Sequence, residues 1–148
     1  MSRFIHFGKA WFAAWLATYL LASIFHTQMV LVGLTAIGVE VPLSERVATT
    51  AYDIYGLFLT YGLALVAASG LAMLITVGVW RLVGRLLFLP ALAGGAAIFT
   101  ALMVMQPIMY VTLIAGARGA VGMTLQVLAG VIGGVVFSWV YMSDSSDE

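Results

Sequence analysis

The most polar side chains that could bind a ligand in this chain lie inside long uncharged stretches. His26, Gln106 and Gln126 each occur within such a stretch, and Tyr61 lies in another. A buried imidazole or amide needs a hydrogen-bonding partner, which a side chain, a backbone carbonyl, water or a ligand can supply. We therefore predict an outward-facing polar cavity lined by His26, Gln106, Gln126 and Tyr61. The competing interpretation is that these residues only cross-link helices.

Histidine and methionine together indicate a second kind of chemistry, metal binding. His26, Met29, Met103 and Met123 are expected at similar depth, and imidazole with thioether ligands suits Cu(I). Methionine also fills gaps in apolar cores, so packing is the alternative explanation. Haem is disfavoured, because His6 and His26 would lie about 30 Å apart on one helix. We predict no resident cofactor.

Other enzymatic chemistry finds little support in the sequence. The chain has no cysteine, which excludes disulfides, thiol catalysis and thiolate metal sites. There is no acid pair, no Ser–His–Asp set within reach and no phosphate-binding loop after a strand. A proton-driven exchanger normally needs a carboxylate within the membrane, and the nearest one, Asp53, lies at the margin of a run. A net charge of zero gives no indication of a nucleic-acid partner.

The elements that must position these side chains are four charge-free runs, at residues 10–39, 54–80, 86–117 and 119–143. About 20 apolar residues span the hydrocarbon core of a bilayer, so each run is long enough to cross it. The predicted fold is an all-α integral membrane protein, a single membrane domain over residues 1–148 that forms a four-transmembrane-helix bundle with short loops. Helices are expected at about 10–33, 46–80, 86–115 and 119–142, with an outer loop at 34–45 and a disordered acidic tail at 143–148.

The basic residues predict the orientation. Cytoplasmic segments of membrane proteins are enriched in Lys and Arg, and one end of the predicted bundle carries Arg3, Lys9, Arg81 and Arg85. We therefore expect both termini to be cytoplasmic, in a bacterial inner membrane. The four tryptophans fall at the same end and are expected to act as interfacial anchors: Trp11, Trp15, Trp80 and Trp139.

Small residues predict where the helices pack. In lipid, glycines allow close backbone approach, and a single arc of about 120° on the last helix carries Gly119, Gly122, Gly130, Gly133 and Gly134. This face is expected to pack within the bundle, or against a second copy of the chain. Pro107 should kink the third helix beside Gln106.

Packing features outnumber chemical ones, which favours a non-enzymatic function. The first expectation is an accessory or structural subunit of a membrane assembly, or a homo-oligomer. The alternative is a binding or transport module for a lipid-like or small amphipathic molecule. The third is a quinone- or copper-linked redox component. The expected partners are the lipid bilayer, other membrane subunits or further copies of the chain, and a lipid or quinone ligand.

Overall fold

The described part of the chain is helical. The computed structural model describes residues 2–109 and 119–143, and it describes the side chains of all of these except residues 2–3 and 105–109. In order along the chain, the elements are α1 (Ser2–Ala36), α2 (Leu43–Gly56), a π-helix (Phe58–Gly62), α3 (Leu63–Val83), α4 (Leu89–Met109) and α5 (Ala120–Ser143). The all-helical prediction is confirmed for these residues, which contain no strand.

Within the described residues, three stretches are long and apolar enough to cross a membrane. They are Phe4–Ala36, Phe58–Val83 and Ala120–Ser143. A shorter apolar helix covers Leu89–Val104 in the described part of α4. The number of spans evident in the described residues is therefore three, compared with the four that were predicted.

The region predicted as one helix over 46–80 contains a change of helical geometry. The Leu57 carbonyl accepts the backbone N–H of both Tyr61, at 2.8 Å, and Gly62, at 3.0 Å. The second bond spans five residues and defines the π-helix between α2 and α3. The same segment also begins earlier than predicted, since α2 starts at Leu43 directly after Pro42, where proline is well suited to a helix start.

Packing is dominated by the long helices. α5 lies along α1 on one side and α4 on the other, and α3 contacts both α4 and α1. α2 packs along the second half of α1. Within α2, which the structure describes in full, no residue is buried. α2 therefore lies at the edge of the molecule, held by contacts along one side.

Two of the tryptophans that were predicted as interfacial anchors are buried in the core of the protein. Trp15 is 8 % exposed and Trp80 is 5 % exposed, whereas Trp139 is 73 % exposed. Each buried indole has a partner inside the protein: Trp15 donates to the Gly62 carbonyl at 3.0 Å and Trp80 to the Leu86 carbonyl at 3.0 Å. An indole that is satisfied internally does not need the polar interface of a membrane.

Glycine allows α5 to approach two helices at once. A Cβ added at Gly130 would lie 2.6 Å from Ile98 Cγ1 and would overlap the Gly94 carbonyl on α4. A Cβ at Gly134 would overlap the Pro90 carbonyl, and one at Gly133 would lie 2.9 Å from the Ala14 carbonyl of α1. The other two glycines of the predicted arc differ, since Gly122 is buried while Gly119 has no described atom within 4 Å of such a Cβ.

Candidate functional site

A buried chain of hydrogen bonds links three elements at the centre of the larger core cluster. The Tyr61 hydroxyl of the π-helix donates to Gln126 Oε1 at 2.8 Å, and Gln126 Nε2 donates to the Ala22 carbonyl of α1 at 3.0 Å. The Gln126 side chain is 1 % exposed. Both ends of its amide thus have a partner within the chain, which removes the desolvation penalty of burying it.

The π-helix is held against α1 by aromatic residues. Trp15 and Tyr19 stack with ring centroids 6.0 Å apart, and Phe58 packs edge-on against both rings. A Cβ at Gly62 would lie 3.3 Å from the Tyr19 ring, so glycine gives the ring room to approach the backbone. The Tyr19 hydroxyl also donates to the Ile54 carbonyl of α2. Aromatic packing and carbonyl contacts therefore fix the junction between α2 and α3.

A second group of polar residues lies between α1 and α2, and we call Ser23, His26, Thr27 and Asp53 the α1–α2 polar cluster. Thr27 Oγ1 lies 2.7 Å from Asp53 Oδ2 and 3.0 Å from the Ser23 carbonyl. His26 is buried and is subject to the charge of Asp53. The Ser23 hydroxyl is close to Tyr19, but in the described structure it makes no hydrogen bond of ordinary geometry. This cluster combines a carboxylate, an imidazole and hydroxyls at one helix contact.

The structure brings together two of the four residues predicted to line a cavity. Tyr61 and Gln126 are hydrogen-bonded to each other. His26 lies one helical turn beyond Ala22 on α1 and belongs to the α1–α2 polar cluster. The backbone of Gln106 is part of α4, but its side chain and the expected kink at Pro107 lie outside what the structure describes. The four-residue cavity stays a prediction.

The copper hypothesis also stays a prediction. His26 is buried, Met29 and Met123 are half-buried, and Met103 is exposed on α4. Met123 packs against the core cluster that contains Trp15 and Tyr61. Among the described residues, no group of three or more His, Cys, Asp or Glu side chains could hold a metal ion.

Sequence reasoning missed the pairing of Thr27 with Asp53 and the buried Ser23. One signal was present: Ser23 and Thr27 are four residues apart and so lie on one face of α1, next to His26. The sequence does not indicate which other helix this face of α1 contacts. Gln28 also contacts α2, since its amide donates to Thr50 at 3.3 Å.

Comparison with known proteins identifies no relative. No family model matches the chain, and no curated protein or solved structure matches it either. Its function must therefore be inferred from the contacts described above.

Proposed function

We propose that this protein is a small, non-enzymatic membrane protein that acts as an accessory or structural subunit of a membrane assembly, or as a homo-oligomer. The observation that carries the proposal is the bonding of Gln126, whose amide oxygen accepts from Tyr61 and whose amide nitrogen donates to the Ala22 carbonyl. Because Gln126 is 1 % exposed, a substrate could reach this amide only by separating the helices packed around it. The polar Gln126 side chain thus holds the packed helices together.

Insertion into a bilayer is supported by the apolar side chains that every long helix leaves exposed. They include Phe12 on α1, Leu71 on α3, Leu92 on α4 and Val135 on α5. Exposed faces of this kind are stable in lipid, where helices satisfy their own backbone hydrogen bonds. We propose that α1, α3, α4 and α5 are four spans. The basic residues near the ends of α1 and α3 favour cytoplasmic termini in a bacterial inner membrane.

The glycine contacts support the view that α1, α4 and α5 pack as a rigid unit. Apolar helices gain little from burying surface that lipid already solvates, so close van der Waals contact must hold them together. Gly94, Gly130 and Gly134 bring the α4 and α5 backbones together, and Gly133 does the same for α5 and α1. A body held in this way suits a subunit that offers fixed surfaces to its neighbours.

Native mass spectrometry after extraction in a mild detergent tests this role. We expect a defined stoichiometry, either of several copies of the chain or of the chain with other membrane proteins. A harsher detergent that dissociates the complex serves as the control. Monomers alone under every mild condition would contradict the proposal.

A further inference from the structure

The connection between α3 and α4 presents basic and apolar side chains together. We call residues 81–88 the α3–α4 turn; they comprise the last residues of α3 and the link to α4. Arg81 and Arg85 are exposed, and the turn contains no acidic residue. Between and beside them, Leu82 is 85 % exposed and Leu87 is 62 % exposed. Contiguous apolar side chains at a surface mark a site of interaction.

The backbone of the α3–α4 turn is held in place by buried side chains. The Trp80 indole donates to the Leu86 carbonyl at 3.0 Å, and the Ser138 hydroxyl of α5 donates to the Leu87 carbonyl at 3.0 Å. Gly84 has a φ of 86°, which glycine adopts readily, and its N–H donates to the Trp80 carbonyl at 3.1 Å. Because this backbone is already ordered, binding to the turn costs less conformational entropy than binding to a mobile segment.

The charge of the turn indicates an anionic partner, and its apolar side chains indicate a lipid. A guanidinium group binds phosphate oxygens through paired N–H donors. A free phosphate ion would use only Arg81 and Arg85, whereas a phospholipid also has acyl chains that can contact Leu82 and Leu87. The proposed orientation places the turn at the cytoplasmic leaflet, where anionic lipids attract basic residues close to the membrane.

We propose that the α3–α4 turn binds the headgroup of an anionic phospholipid. Arg81 and Arg85 donate to its phosphate oxygens, and Leu82 and Leu87 contact the upper part of its acyl chains. This inference rests on the proposed insertion into a bilayer and adds the class of lipid that the protein retains. It does not depend on the subunit role, which concerns contacts with other proteins or further copies of the chain.

A comparison of two phospholipids with identical acyl chains tests the proposal. The probes are dioleoyl phosphatidylglycerol, which carries a net negative charge, and dioleoyl phosphatidylcholine, whose choline balances its phosphate. Affinity is measured on the full chain in mild detergent by microscale thermophoresis. Each basic residue near an anionic lipid contributes about fivefold in affinity, so we expect phosphatidylglycerol to bind about tenfold more tightly or better. A large molar excess of inorganic phosphate should not displace it.

Two variants and a matched control connect this preference to the turn. Arg81→Gln and Arg85→Gln should each weaken phosphatidylglycerol binding about fivefold, and the double variant should bind the two lipids equally. Arg46→Gln removes the same charge from α2, which packs along the second half of α1, and should leave the preference unchanged. Circular dichroism checks that every variant keeps the helix content of the wild-type chain.

Equal binding of the two phospholipids by the wild-type chain would overturn the proposal, and so would a double variant that keeps the wild-type preference. A loss of equal size in Arg46→Gln would assign the effect to overall charge and contradict a site at the turn. Displacement by inorganic phosphate would assign the turn to a free anion and contradict lipid binding. Recovery of the wild-type chain in the membrane fraction tests insertion separately, and none of these results bears on the stoichiometry that tests the subunit role.

Discussion

Replacing Gly130 by alanine tests whether α4 and α5 depend on direct backbone contact. The added methyl group would lie 2.6 Å from Ile98 Cγ1 and would overlap the Gly94 carbonyl, where ordinary van der Waals contact begins at 3.4 Å. Ile98 can adjust its side chain, but the Gly94 carbonyl belongs to a helix backbone. The two helices must therefore separate, and overpacking of this kind costs about 1–3 kcal/mol. We expect Gly130→Ala to lower the free energy of unfolding by about 2 kcal/mol.

Gly78→Ala is the matched control for this experiment. Gly78 is also within a long apolar helix, but it is exposed on α3, and no described atom lies within 4 Å of an added Cβ. Alanine is favoured over glycine in helices by up to about 1 kcal/mol, so this variant should be as stable as wild type or more stable. Unfolding in mixed micelles with increasing SDS, followed by circular dichroism, measures both variants. Equal changes in the two free energies would refute the close contact at Gly130.

Three further experiments test a buried side-chain hydrogen bond, an indole contact and a turn. A double-mutant cycle of Tyr61→Phe and Gln126→Leu should give a coupling free energy of about 1 kcal/mol, typical of hydrogen bonds between membrane helices; additive effects would contradict the contact. Trp15→Phe, which loses the bond to the Gly62 carbonyl, should lower the free energy of unfolding by about 1 kcal/mol, whereas exposed Trp139→Phe should leave it unchanged. Gly38→Ala should cost about 1 kcal/mol because Gly38 has a φ of 87°, and an unchanged stability would show that this turn is not required.

The helical character of the chain could be predicted because it depends on local patterns. The charge-free runs set the length of apolar stretches, and length alone favours helices that are suited to a membrane. The π-helix at Phe58–Gly62 could not be predicted in this way. It is supported by the Trp15 indole, which donates to the Gly62 carbonyl, and by the Tyr19 ring packed beside it. Both come from another helix, and local patterns carry no information about them.

The contacts of the candidate site could likewise be predicted only in part from the sequence. The spacing of Gln126, Gly130 and Gly133 along the sequence places them on one face of α5, and all three are buried. This spacing could not identify the partners of Gln126, which are the Tyr61 hydroxyl and a backbone carbonyl. His26 was predicted to line a cavity with Gln126, and it lies near Asp53 because α2 folds back along α1. Local sequence patterns do not determine which residues of two distant segments face each other, so this pairing is known only from the three-dimensional structure.

Photo-crosslinking in intact membranes tests the structural role most directly. A photoreactive phenylalanine analogue would be placed singly at one exposed apolar position on each long helix: Phe12, Leu71, Leu92 and Val135. We expect one or more of these faces to form an adduct of defined mass with another membrane protein or a second copy of the chain, while the other faces form lipid adducts only. Lipid adducts alone at all four positions, in a chain made at its normal level, would contradict the structural role.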